Sequence, residues 1–356
     1  EANKKNKCVY LRLSVVKKTI YKKRLFESKM IKFKLNNKIK TWQGDKKLSL
    51  LNYLREHEQV TSAKDGCSGQ AYCGMCAVEM DSRVILSCTT PMSKVNGAEV
   101  LTIEGWPEQL QRTIGNAFVK KGAVQCGFCT PGILVRTKVL LQKNPMPSHD
   151  DIINALKGHF CRCTGYAKII EAIQLAAQLV HENQGIDLKS PGLVGTRQPK
   201  YKAFERATGA APFVDDLHID GMLHAALKFS DFPRARIIKI DVEAAKNLPG
   251  VVRIFTGIDI PGERYCGLIK NDWPVFILEG ETTRYIGDVL AGVVADTEET
   301  ARRAVELIKV EYEVLEPLTD MHLAEASDIH VHPDGNVLET TIIRRGELAE
   351  EALANA

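Results

Sequence analysis

The 356-residue chain carries 44% hydrophobic and 26% charged residues, ordinary globular values, and is long enough for two or three domains. No apolar run approaches the roughly 18 residues of a membrane-spanning helix. The formal charge of +4 conceals a division: residues 1–29 hold ten Lys or Arg against two Glu, while the remaining 38 basic and 42 acidic residues carry a net −4.

In chain order, residues 1–29 form a basic arm whose functional readings are a nucleic-acid-binding or targeting segment. Its apolar stretch, Val9 to Val16, is interrupted by Arg12 and is followed by no small-residue cleavage site. The arm is therefore read as an extension outside the fold, and neither nucleic acid nor a membrane is expected as a partner. From Met30 the pattern becomes regular. Ile31 to Leu35 alternates as a strand, Asn36-Asn37 is a turn, and Lys38 to Trp42 closes a hairpin. Leu48, Leu51, Tyr53 and Leu54 predict a short helix, and Ala77–Met80 and Val84–Leu86 two more strands. Residues 30–105 thus read as a small α+β domain.

Helices follow over residues 106–182. Pro107 opens the first, with Leu110, Ile114 and Phe118 on one face and Gly122 as its stop. Thr130-Pro131 opens a second running through Leu141, and Ser148 with Asp151 forms a capping-box signature for a third. A fourth runs from about Tyr166 to His181, with Ile169, Ile170, Ile173 and Ala177 on its apolar face. Four helices with short loops predict a bundle. Residues 183–198 have linker composition. Over residues 199–356, strands at Leu223–Phe229, Val251–Phe255, Val289–Val294 and Val310–Val314 combine with a helix over Thr297–Lys309. The whole reads as an α+β multidomain protein.

Eight of the ten cysteines fall into two blocks. Cys67, Cys73, Cys76 and Cys88 make C-x5-C-x2-C-x11-C; Cys126, Cys129, Cys161 and Cys163 make C-x2-C-x31-C-x-C. Each block supplies four thiolates, the number one 2Fe-2S cluster needs, so two clusters in series are expected. The first block sits in a loop with Gly66, Gly69 and Gly74, which let backbone amides approach sulfur. Its first gap is one residue longer than the plant ferredoxin pattern, and a bulge is expected to absorb it. In the second block Cys129 precedes a helix whose N-terminus favours an anionic cluster, and Arg162 adds a cation between two ligands.

The alternatives are weaker. Without a secretory signal the expected location is the reducing cytoplasm, which argues against a disulfide framework. Structural zinc suits C-x2-C pairs, but neither block has a common finger spacing. Cys73-Gly74-Met75-Cys76 as a lone redox pair ignores its two neighbours. Cys8 and Cys266 read as ordinary thiols, and His149 and His159 as loop or packing residues before proton relays. Asp215-Asp216 and Glu205-Arg206 read as solvated faces rather than a metal or ion-pair site. Gly257 to Gly262 is a turn that Pro261 spoils as a phosphate loop.

Gln125-Cys126-Gly127-Phe128-Cys129-Thr130-Pro131-Gly132 and Cys161-Arg162-Cys163-Thr164-Gly165-Tyr166 resemble the second-cluster motifs of the molybdenum hydroxylases, the xanthine dehydrogenase and aldehyde oxidase family. Residues 195–325, with Ala207-Thr208-Gly209, Phe213–Asp216 and Tyr285–Asp288, resemble that family's a/b hammerhead domain, and the Asp65–Cys73 loop is most similar to bacterial selenium-dependent xanthine dehydrogenases. The resemblance implies a β-grasp ferredoxin-like 2Fe-2S domain at 30–105, a four-helix 2Fe-2S domain at 106–182, a linker at 183–198, and a hammerhead domain at 199–356. It implies electrons leaving molybdenum through the helical-domain cluster and then the ferredoxin-like one, with Gln125 and Cys163 touching the pterin of the molybdenum cofactor. The roughly twenty residues between the helical and hammerhead domains leave no room for a flavin domain, so FAD is expected only on a partner chain. The expected partners are molybdenum-binding domains, on a longer chain or a separate subunit, in an oligomer. No residue here is assigned to the hydroxylation step.

Overall fold

Asn36 and Asn37 both adopt left-handed backbone, with φ of 47° and 66°, the geometry of a two-residue hairpin turn. They join β1 (Ile31–Leu35) to β2 (Lys38–Trp42) in antiparallel register, Leu35 opposite Lys38. The computed structural model describes residues 30–190, 192–346 and 348–356; the basic arm, with Val9–Val16 and Cys8, lies outside the described residues. They form two compact units, the first ending at Leu217 and the second beginning at His218.

In the first unit β3 (Ala77–Met80), β4 (Arg83–Leu86) and β5 (Glu99–Leu101) complete a sheet of order β2-β1-β5-β3-β4, with β1 and β5 parallel. Alternation along β1 buries Ile31, Phe33 and Leu35 against Leu50, Leu51, Tyr53 and Leu54 of the helical segment Leu50–His57. Each such side chain contributes about 1.5–3 kcal/mol by leaving water. This is the expected β-grasp arrangement.

The four expected helices are α1 (Glu108–Lys121), α2 (Thr130–Lys143), α3 (His149–Leu156) and α4 (Ala167–His181). Gly122 ends α1 with φ 66°, its N–H returning to the Phe118 and Val119 carbonyls. Ser148 and Asp151 form the capping box that starts α3. Ile114, Phe118, Ile133, Leu134, Ile152, Ile169 and Ile173 make the shared core. Helix α2 also packs on β3, and across that seam Lys138 and Glu79 form a buried ion pair.

The family resemblance places residues 199–217 with the hammerhead domain, and the structure packs them into the first unit. The short helix α5 (Ala203–Thr208) buries Ala203 and Ala207 against α1 and α2. Phe204 lies so close to Gly115 that a Cβ there would fall 2.8 Å from its ring.

The second unit holds a three-stranded antiparallel sheet in which β6 (His224–Phe229) and β8 (Val251–Phe255) flank the buried strand Val289–Ala295. The next strand after β6 in the chain, β7 (Ala235–Asp241), pairs antiparallel with Lys309–Val314 in a separate two-stranded sheet. The helix expected over Thr297–Lys309 spans Glu298–Leu307, because Ile308 turns extended and Lys309 opens a strand. Its alanines Ala301 and Ala304 are fully buried.

Candidate functional site

None of the described cysteines is in a disulfide. In the first block Cys67, Cys73 and Cys76 are buried and Cys88 half-buried. The extra residue of the C-x5-C loop is absorbed by left-handed backbone at Ser68 (φ 48°), Gly69 (78°) and Ala71 (64°). Two of these are not glycine, a strained arrangement typical of a functional loop. Gly66 is needed for space: a Cβ there would fall 3.2 Å from Cys73 Sγ and 2.2 Å from Met75 Sδ.

The thiols meet in pairs, Cys67 with Cys73 and Cys76 with Cys88. Burial opposes ionisation of Cys67, but the backbone N–H groups of Cys73, Tyr72 and Gln70, with the Cys73 thiol, outweigh it and hold Cys67 below the ordinary thiol range. Burial pushes Cys73 up to about 11 and Cys88 up to about 12, each raised further by its partner. The Ala71 N–H also faces Cys88. The strained turn thus aims amide donors at the sulfurs, which tune cluster potential in such sites.

The second block repeats this logic on helix ends. Cys129 is the N-cap of α2, with Pro131 in its first turn. Cys161 and Cys163 lie in the α3–α4 loop, which Tyr166 braces from a left-handed backbone at φ 69°. Its hydroxyl accepts from the Cys161 N–H at 2.8 Å and donates to the His159 carbonyl at 3.0 Å. Again there are two pairs: Cys126 Sγ lies 3.6 Å from Cys163 Sγ, both exposed, and buried Cys129 meets buried Cys161. Burial drives Cys129 well up, whereas Cys161 is held down against burial by the Thr164 hydroxyl, 3.1 Å from its sulfur, and by the Cys163 and Thr164 N–H groups. Among the described residues no three His, Cys, Asp or Glu side chains gather as a one-ion site needs. Thiols arranged two by two, with amide donors around them, suit the two irons of a 2Fe-2S cluster.

The two blocks are joined through backbone. The Phe160 N–H donates to the Cys73 carbonyl at 2.9 Å, linking the residue before Cys161 to a cysteine of the first block. Gly132, in the first turn of α2, lies against Gly74; a Cβ there would fall 2.5 Å from the Gly74 carbonyl and 3.2 Å from Met75 Cα. Gly74 itself has φ 71° and faces the His159 ring. His159 is buried and accepts from Arg136 Nε at 3.2 Å. Burial and the Arg136 charge lower it to about 4, so it is a neutral packing residue. His149 is exposed, as is Arg162.

The solvated-face reading of Asp215-Asp216 fails at its second residue. Asp216 is buried and paired with buried Lys64 at 2.8 Å, while Arg55 Nη2 lies 3.0 Å away without hydrogen-bond alignment. Sequence spacing gave no sign of this pair, whose members are 152 residues apart. Gln125 is exposed beside Cys126, and its carbonyl accepts from Lys200 Nζ at 2.5 Å.

A β-grasp domain and a helical domain, each with paired thiols, have the architecture of an iron–sulfur protein. The family model for a [2Fe-2S] binding domain matches residues 102–174, and that for the aldehyde oxidase and xanthine dehydrogenase a/b hammerhead domain matches residues 208–316. An aldehyde oxidoreductase of Megalodesulfovibrio gigas is 35% identical over 335 residues, 88% of this chain and 37% of that protein. The nicotinate dehydrogenase small FeS subunit of Eubacterium barkeri is 36% identical over 149 residues, 42% of this chain and 94% of the subunit. The crystal structure of the aldehyde oxidoreductase from Desulfovibrio desulfuricans matches with a TM-score of 0.76 at 31% identity, covering 86% of this chain and 36% of that one. The chain belongs to the aldehyde oxidoreductase/xanthine dehydrogenase family of molybdenum hydroxylases. It spans little more than a third of the length of the two aldehyde oxidoreductases.

Proposed function

We propose that the chain is the electron-transfer part of a molybdopterin-dependent hydroxylase, passing electrons from molybdenum through two 2Fe-2S clusters to a flavin or another acceptor. The observation that carries this reading is the pairing of eight thiols, two by two, in two blocks joined by the Phe160–Cys73 hydrogen bond. Cys67, Cys73, Cys76 and Cys88 would hold one cluster, and Cys126, Cys129, Cys161 and Cys163 the other. A 2Fe-2S cluster supplies reversible one-electron storage. The protein's part is to hold its thiolates, direct amide donors at them and exclude water from the inner pairs.

Exposure supports an order of the two blocks. The Cys126–Cys163 pair and Gln125 are exposed, whereas Cys129 and Cys161 lie on the side of the Cys73 loop. The exposed pair is assigned to the pterin side, with Gln125 and Cys163 contacting the molybdenum cofactor, and the first block to the outward acceptor. Molybdenum-binding domains are the immediate partners, FAD belongs to a partner chain, and the assembly is oligomeric. Clustered free thiols accord with a reducing, cytoplasmic location.

A second reading, a self-standing two-cluster carrier that docks on a separate catalytic chain, draws on the 94% coverage of the nicotinate dehydrogenase small FeS subunit. The hammerhead match at residues 208–316 favours the first.

Iron and acid-labile sulfide analysis with electron paramagnetic resonance of the reduced protein tests the proposal. About four irons per chain and two distinct 2Fe-2S signals are expected. A colourless, zinc-loaded protein would overturn the reading.

A further inference from the structure

Residues 200–213 lie across the second thiol block and bring it two cations that the cysteine motif does not contain. Lys200 Nζ donates to the Gln125 carbonyl, and Arg206 Nη1 donates to the Cys126 carbonyl at 3.2 Å. The Arg206 contact is built into the fold. Gly127 holds φ 84°, and a Cβ at this position would fall 2.7 Å from Arg206 Cβ and 3.0 Å from its carbonyl oxygen. Only glycine beside Cys126 lets this segment approach so closely. The Phe213 ring meets Phe128, which like Gly127 lies between Cys126 and Cys129, edge-on at 5.2 Å, a second contact of this segment with the cysteine loop.

Arg206 also has a group that the chain leaves unsatisfied. Its Nε is buried and has no hydrogen-bond partner among the described residues. Leaving such a donor unpaired costs about 1–3 kcal/mol, more for a charged group. One guanidinium N–H is thus held on the peptide of Cys126 while another stays buried without an acceptor. An anionic cluster on Cys126, Cys129, Cys161 and Cys163 would answer that charge.

We propose that Arg206 is a positioning residue that raises the reduction potential of the second cluster. The inference rests on the cluster reading given above. When this site is reduced it takes one electron from the donor, no bond is made or broken, and its charge becomes more negative by one. The positive charge of a guanidinium stabilises the reduced state more than the oxidised one when held one peptide from a ligand.

The test is a redox titration of the whole chain, following each signal separately, for wild type, Arg206→Gln and Arg206→Lys, with iron content measured on all three. Arg206→Gln is expected to move only the second-block signal to more negative potential, and Arg206→Lys to restore most of the shift. An unshifted potential in Arg206→Gln, equal shifts of both signals, or loss of the second signal with its iron would each overturn the proposal, the last by making Arg206 purely structural. Absence of both signals from the wild type would instead sink the cluster reading itself.

Discussion

Two buried aspartates, Asp216 and Asp288, show how partners decide what a carboxylate does. Burial pushes Asp216 upward, but the Lys64 ammonium, the Phe213 N–H and Arg55 outweigh it and hold it below the usual carboxylate range. Breaking a buried pair leaves an uncompensated charge and costs about 3–5 kcal/mol. Lys64→Met is expected to lower the unfolding midpoint of the first unit accordingly, and Lys64→Met with Asp216→Leu to recover much of the loss. Asp288, in the second unit, forms no ion pair among the described residues, and the nearby Arg284 charge lowers it only in part. Burial raises it despite the Arg284 and Tyr285 N–H groups, and its Oδ1 has no hydrogen-bond partner among the described residues. With the folded value raised, the folded state binds the proton more tightly, so stability falls as pH rises from the ordinary carboxylate value through the raised one. The melting temperature of wild type relative to Asp288→Asn is therefore expected to increase as pH is lowered through that window. A difference that stays flat, or decreases, would contradict the assignment.

At the scale of elements, α2 connects the two blocks: it starts at Cys129, lays Gly132 on Gly74, and pairs Lys138 with Glu79. Gly132→Val is expected to cost about 1–3 kcal/mol by overpacking. It should also slow electron exchange between the blocks in rapid-mixing reduction, because the Phe160–Cys73 contact lies at the same seam; native rates would argue against that route. Ser148→Ala should remove about 1 kcal/mol of α3 stability, read as a lower midpoint. That cap was legible in the sequence, as were the α1 stop at Gly122, the Asn36-Asn37 hairpin and all four helices, because each depends on residues a few positions apart. The grouping of eight cysteines into two blocks was visible in the sequence, but which thiols meet, such as Cys129 with Cys161, came from the fold. The packing of residues 199–217 was not legible, since Gly115, Ser62 and Lys64, which receive it, are distant in sequence. Nor was the loop shape between Cys67 and Cys73, where Ser68 and Ala71 adopt backbone that their residue types disfavour.

At the scale of the molecule, a first unit with two thiol blocks and a second unit of the hammerhead kind place the chain in the molybdenum hydroxylase family. The fold brings the eight cysteines together in two blocks linked by the Phe160–Cys73 hydrogen bond, with a buried and an exposed pair in the second. The most direct test of that arrangement is electron paramagnetic resonance of the reduced protein in two variants, with iron counted in each. Cys67→Ser is expected to abolish or reshape one signal and leave the other intact, and Cys161→Ser to do the reverse. Loss of both signals from either substitution, or loss of the same signal from both, would contradict two separate four-cysteine sites.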